Sequence, residues 1–226
     1  MTLQLTSENF YQLCDGLATR DKELSQIIRE HGYPPLWNRP NTFESLVHII
    51  LEQQVSLASA LAALNKLKER LQEVTPESFL LLTDEELRSC YFSRQKTSYT
   101  RGLAKALAEG TLNLHELTTL DDAAVRKKLV ALKGIGNWTA DIYLLFVLQR
   151  ANIFPMGDLA AINALKRIKK LPKDTSHEKL IAITSKWHPH KSAATMLLWH
   201  HYLSSPRKNE SVFYQHQTGL RDTQQK

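Results

Sequence analysis

Apolar residues recur at intervals of three and four along almost the whole chain, the spacing that lines one face of an α-helix. No stretch alternates apolar and polar residues as a half-buried strand would, so the pattern predicts an all-α fold. Ser7 is expected to cap a first helix with Phe10, Leu13 and Leu17 inward, its pattern running on through Leu24, Ile27 and Ile28 to Gly32. Tyr33-Pro34-Pro35 then makes an irregular link. Thr42 caps a helix with Phe43, Leu46, Val47 and Ile50 on its inner face, and Ser56 opens another that reaches about Gln72. Thr75-Pro76-Glu77 pairs a cap with a first-turn proline, and Thr83 with Glu86 forms a capping box. A basic amphipathic helix follows from Ser93 to Glu109 and closes at Gly110. Further helices are expected over Asp121 to Leu132 and Asn137 to Leu148, from near Asp158 and Ser176, and from Pro189 to Leu203. The pattern thus predicts about ten helices and a polar tail from Ser205 onward.

With 226 residues the chain makes one large domain or two small ones, and 42% hydrophobic with 23% charged residues is a globular composition. Two cysteines, Cys14 and Cys90, exclude a four-thiolate zinc or iron–sulfur site and a disulfide scaffold; both read as small buried apolar residues. The nine histidines show no ligand spacing: His200 and His201 are neighbours on a helix and point apart, and His188 and His190 bracket a proline, so no firm metal site is expected. No run is long enough for a membrane span and no secretory leader is evident. The net charge of +6 favours a polyanionic partner without identifying one.

Candidate chemistry concentrates in Leu132-Lys133-Gly134-Ile135-Gly136-Asn137-Trp138-Thr139-Ala140-Asp141. One helix stops, two glycines flank an apolar residue, and a new helix begins. Gly134 and Gly136 allow backbone approaches that a Cβ would obstruct, Ile135 can pin the turn inward, and the amides of the new helix face outward as an anion site. By itself a bare Gly-x-Gly favours a simple helix–helix turn without a ligand. Downstream, Phe154-Pro155-Met156-Gly157 sets Asp158 at a helix start, where it is either a plain N-cap or a held carboxylate for electrostatic or base chemistry. Asp141 is the weaker rival, because it lies inside its helix.

These residues carry a resemblance. Residues 132–141 followed by 154–158 resemble the helix–hairpin–helix DNA glycosylases with a catalytic Asp, and among them the AlkA-type 3-methyladenine DNA glycosylases II. Ile50 to Ser56, Phe92-Ser93-Arg94-Gln95-Lys96, and Trp187 to Ser192 with Trp199 downstream are similar to further segments of that family, which the chain matches over about residues 40–203. His190 and Lys191 replace the Trp and Arg frequent in the C-terminal pattern, and Ile142 stands where some relatives carry an aromatic residue. The resemblance implies a two-lobed all-α fold without the N-terminal β domain of longer relatives. One lobe is expected over residues 41–151, containing the helix–hairpin–helix at about 121–148. The other combines residues 1–40 and 152–204, with the active site in the cleft between them and 205–226 as a polar tail.

The implied chemistry is base flipping and hydrolytic excision of alkylated purines (3-methyladenine, 7-methylguanine type) from double-stranded DNA. Asp158 would stabilise the developing oxocarbenium ion, and Trp138 and Trp199 would stack on the cationic base. Gln54 is placed at the wedge that fills the gap in the duplex. Lys96, Lys133, Gly134, Gly136, Asn137 and Thr139 are candidate DNA contacts, with Arg101 a further basic residue. Tyr143 is expected in the core or behind the pocket. No lysine nucleophile stands in the second hairpin helix, which implies a monofunctional enzyme. No cofactor is required; the family's hairpins hold a monovalent cation (Na or K), here through the main chain of Val130, Leu132 and Ile135. A monomer acting in the cytoplasm (nucleoid) or nucleus is expected. The alternatives are a glycosylase of the same fold for oxidised or mismatched bases, and a noncatalytic helix–hairpin–helix module that binds DNA.

Overall fold

A computed structural model describes residues 3–204 of the chain; the predicted polar tail, residues 205–226, lies outside the described residues. Thirteen α-helices are present among the described residues, with no sheet beyond a single bridge between Gln4 and Arg150. They are α1 (Phe10–Ala18), α2 (Lys22–His31), α3 (Phe43–Glu52), α4 (Leu57–Arg70), α5 (Pro76–Leu80), α6 (Asp84–Ser89), α7 (Arg94–Ala108), α8 (Leu114–Thr119), α9 (Asp122–Val130), α10 (Asn137–Ile142), α11 (Leu159–Ile168), α12 (His177–Ser185) and α13 (Lys191–Ser204). A π-helical turn, Tyr143–Val147, continues α10.

The caps explain most of these starts. Thr42, Ser56, Thr75, Thr83, Ser93, Asp121, Asp158 and Ser176 each accept a backbone N–H of the first turn, satisfying donors that the helix leaves open. Ser7 does not cap α1; its hydroxyl donates to Glu8, and the helix begins after Asn9. The long first segment is in fact two helices, because Asp21 stops one and caps the next by accepting from Glu23 and Leu24 N–H. The short α8, capped by Asn113, was hidden in what reads as a loop.

The helices pack in two sets. α3 meets α4, α7, α10 and the π turn; α7 also meets α5 and α6, and α10 meets α9. From the chain's two ends, α1, α2 and α13 pack together and α13 also meets α11. One apolar core runs through both sets, from Phe10, Leu24 and Ile27 through Leu46, Ile50 and Phe79 to Leu197 and Leu198. Cys14 and Cys90 are buried free thiols in it, and burial pushes the Cys14 pKa up to about 12. Tyr143 is fully buried and donates to Asn41 Oδ1 at 2.7 Å, which ties the chain after α2 to the second hairpin helix.

Asp21 is a hub for the second set. It caps α2, receives Trp187 Nε1 at 2.8 Å, and pairs with Lys169 Nζ at 2.7 Å. Burial pushes its pKa up, but the bonds from Lys169, Trp187 and the Leu24 amide outweigh this and hold it below the usual value. A carboxyl lowered in the native state contributes stability that is lost as pH falls through its native pKa, here below about pH 4. Asp21→Ala removes a cap and strands a buried indole N–H, so a loss of about 2–4 kcal/mol is expected. Urea midpoints check this: the wild type should weaken between pH 5 and pH 3, and the variant should weaken by less over that interval.

Candidate active site

Asp158 sits at the meeting of the two sets. The turn before it closes through its own N–H, which donates to Pro155 O at 2.8 Å, and its side chain caps α11 by accepting Ala161 N–H at 2.8 Å. The segment leading to it is clamped onto α13. Ser192 Oγ donates to Arg150 O and accepts from Ile153 N–H at 3.0 Å, and Thr195 Oγ1 reaches Ile153 O at 3.3 Å.

Two tryptophans close on the carboxylate. Trp138 Nε1, from the start of α10, donates to Oδ2 at 3.0 Å; Trp199 Nε1, from α13, donates to Oδ1 at 2.9 Å. With the Ala161 amide, three N–H groups converge on two oxygens, and the α11 N-terminus adds its partial positive charge. The loop lies against Trp138 at Gly157, where a Cβ would stand an ordinary 3.5 Å from Trp138 Cβ. The sequence thus names all three residues, but not their arrangement. The indole edges grip the carboxylate, and one face of Trp199 is covered by Phe146, stacked with ring centroids 5.2 Å apart. Trp199 is buried, so Trp138, which is half-buried, has the more accessible face.

Three residues behind this wall escape a reading of the sequence. Phe146 lies in the π turn, Trp37 meets Trp199 edge-on at 6.5 Å, and Arg39 stands over the Phe146 ring at 5.2 Å. The link after α2 is laid across the π turn by a main-chain bond, Arg39 N–H to Phe146 O at 2.9 Å, and by the Gln149 side chain, whose Nε2 donates to Trp37 O at 3.0 Å. Arg39 in turn makes a forked pair with Glu52, at 2.6 and 3.0 Å.

The hairpin between α9 and α10 behaves as expected at one of its two glycines: at Gly136, with φ −95, a Cβ would meet nothing within 4 Å, so only Gly134 is required to be glycine. Ile135 is buried and its N–H closes the turn onto Leu132 O at 3.1 Å. Gly134 has φ +90, and a Cβ on it would come within 2.0 Å of Tyr99 Cγ, so the ring packs directly against the glycine. Lys133, Gly136 and Asn137 are exposed beside the turn. Gln54 is also exposed, at φ +57 in the turn between α3 and α4. Its neighbour Gln53, not singled out in the sequence, couples that turn to the hairpin by donating to Gly134 O at 2.9 Å and Thr139 Oγ1 at 3.0 Å.

Some expected DNA contacts are committed elsewhere. Thr139 is buried and its hydroxyl receives Gln53, so its side chain does not face solvent. The Lys96 ammonium bonds Leu51 O at 2.5 Å and so caps the end of α3 instead of lying free for a phosphate; burial lowers its pKa. Arg101 is held by Asp84 and Leu82 O. Asp141 is buried against Arg126 at 2.6 Å, a structural ion pair away from Asp158's partners.

A family model described as the HhH-GPD superfamily base excision DNA repair protein matches residues 47–190, a span that holds the hairpin, Trp138 and Asp158. The chain belongs to this superfamily. Among curated relatives, the Bacillus subtilis protein named "Putative DNA-3-methyladenine glycosylase YfjP" is 33% identical over 184 residues, covering 78% of this chain and 64% of its own length. The chain therefore spans a little under two thirds of that relative. DNA-3-methyladenine glycosylase 1 of Schizosaccharomyces pombe is 27% identical over 188 residues, 81% of this chain and 82% of that protein. Among solved HhH-GPD structures, the S. pombe 3-methyladenine DNA glycosylase Mag1 in complex with abasic DNA superposes with a TM-score of 0.77 at 26% identity, over 83% of this chain and 95% of that one. An 8-oxoguanine glycosylase/lyase of Clostridium acetobutylicum shares the fold, with a TM-score of 0.72 at 18% identity over 88% of this chain and 76% of that one.

Proposed function

We propose that this protein is a monofunctional DNA glycosylase that flips alkylated purines out of duplex DNA and hydrolyses their N-glycosidic bond. The observation that carries the reading is the carboxylate of Asp158, fixed between two indole N–H groups and a helix N-terminus where the two sets of helices meet. The names of the relatives, which are 3-methyladenine glycosylases, support the substrate class.

The geometry suggests a division of labour. A purine alkylated at N3 or N7 is cationic and leaves readily, so little acid catalysis is needed. The sugar becomes an oxocarbenium-like cation as the bond stretches, and a fixed anion beside it lowers the barrier. A carboxylate has about four acceptor positions, and three are taken by N–H donors, which leaves about one for an attacking water. Asp158 therefore acts chiefly through its charge, and only secondarily by orienting water. Trp138, half-buried at the mouth, offers a face for the flipped base, a contact worth about 2 kcal/mol with a cationic ring out of water. The hairpin amides from Gly136 onward, with Lys133 and Asn137, take a phosphate, and Gln54 enters the vacated stack.

We infer that the main-chain oxygens of Val130, Leu132 and Ile135, neutral hard donors, would hold a monovalent cation, with Leu132 O shared with the Ile135 N–H. Such an ion would steady the hairpin and neutralise phosphate; the excision step does not pass through it. We further infer action as a monomer in the compartment that holds the DNA. No described helix is long and apolar enough to cross a membrane.

A panel of duplexes, each with one lesion, tests the reading by single-turnover base release. Release of 3-methyladenine and 7-methylguanine is expected, with binding that weakens steeply as salt rises. Cleavage confined to 8-oxoguanine would move the protein to the oxidised-base branch, and binding without any base release would make it a noncatalytic module.

A further inference from the structure

Away from the carboxylate and its indoles, the end of α2 meets the end of α13. Among the described residues, Glu30, His31 and His201 there bring one ligand atom each within 4.8 Å of one another. His31 Nε2 lies 3.2 Å from His201 Nδ1. Two imidazole nitrogens on one tetrahedral zinc ion, each about 2.0–2.1 Å from it, stand roughly 3.3 Å apart. Glu30 Oε2 is 3.9 Å from His31 Nε2, and its other oxygen is held by Gln26 Nε2 at 2.6 Å, the kind of outer bond that orients a metal-binding carboxylate. His200 Nε2 lies 2.9 Å from His31 O and steadies the last turn of α2. Glu30 and His31 also occupy the helix's C-terminal end, where the partial negative charge of the carbonyls favours a cation.

We propose that Glu30, His31 and His201 bind one divalent transition ion of zinc-like chemistry, which pins α2 to α13. Two imidazoles and a carboxylate with water in a fourth position make a four-coordinate set that suits zinc, nickel or copper and not magnesium or calcium. Because His201 follows Trp199 by two residues on α13, the ion would fix the axial position of the helix that carries an indole to Asp158. The histidines are 170 positions apart in the chain, which is why no spacing signals the site.

Full-length protein stripped with a chelator, then titrated with ZnCl2 in a calorimeter, tests this. One saturable equivalent is expected, with a melting midpoint raised by several degrees at a hundredfold excess over Kd. MgCl2 should do neither. His31→Gln and His201→Gln should each abolish the heat and the melting shift. Glu30→Gln, on an exposed side chain that folding does not need, should weaken zinc by about tenfold or more. No saturable binding, full binding in either His31→Gln or His201→Gln, or unchanged affinity in Glu30→Gln would each overturn the site.

Discussion

Replacing Asp158 by Asn should reduce single-turnover base release by roughly a thousandfold or more, while duplex affinity and its salt slope stay within about twofold. The substitution is nearly isosteric, and Asn is as good a helix cap as Asp, so Ala161 N–H keeps its acceptor. What disappears is the negative charge beside the sugar. An amide also cannot receive both indoles: the oxygen that keeps the cap is the one that serves Trp199, and the NH2 then faces the Trp138 N–H donor to donor. That mismatch should cost about 1–2 kcal/mol of stability. Stability and catalysis are therefore separable: a modest drop in urea midpoint should accompany a collapse in rate. A variant that still releases methylated base at a tenth of the wild-type rate would remove Asp158 from the chemistry.

Gly134→Ala should be among the most damaging single-methyl additions in the chain. At φ +90 an L-residue is strained by roughly 1–2 kcal/mol, and the new Cβ overlaps the Tyr99 ring, which adds overpacking of about 1–3 kcal/mol. A total near 2–5 kcal/mol is expected in urea unfolding. Duplex affinity should fall with it, because Gly134 O is the acceptor through which Gln53 ties the turn that carries Gln54 to the hairpin. A double-mutant cycle isolates the overlap. Combined with Tyr99→Ala, the alanine at 134 should cost only its backbone strain, giving a favourable coupling of about 1–3 kcal/mol. Additive effects would mean that the ring does not set the limit.

What the sequence reveals and conceals divides along contact distance. A cap and its first turn are neighbours in the chain, so the helix starts at Thr42, Ser56, Thr83, Ser93 and Asp158 can be read directly, as can the turn of Gly134 to Gly136. Asp21 looks like one more polar residue within a long amphipathic run, because its partners Lys169 and Trp187 lie 148 and 166 positions away. The same holds for the site. Its types are legible: an acid after a Gly/Pro loop, a tryptophan after paired glycines, a second tryptophan on the last helix. Their use is not. Nothing in the string shows that the indoles point their nitrogens at Asp158, that Phe146 occupies a face of Trp199, or that Lys96 bends back to close α3. Basic residues are read from sequence as charge, whereas the fold assigns several of them to carbonyl groups and carboxylates.

The last helix does two jobs on one rod. Ser192 and Thr195 fasten the segment that delivers the acid, and Trp199, about one turn beyond Thr195, meets that acid from the side. Each residue of an α-helix advances the azimuth by about 100°. Deleting any single residue between positions 196 and 198 would therefore leave the fastening intact and swing the indole about a quarter-turn out of phase. Drift in this protein is free to change which apolar side chains fill those three places, but not how many there are.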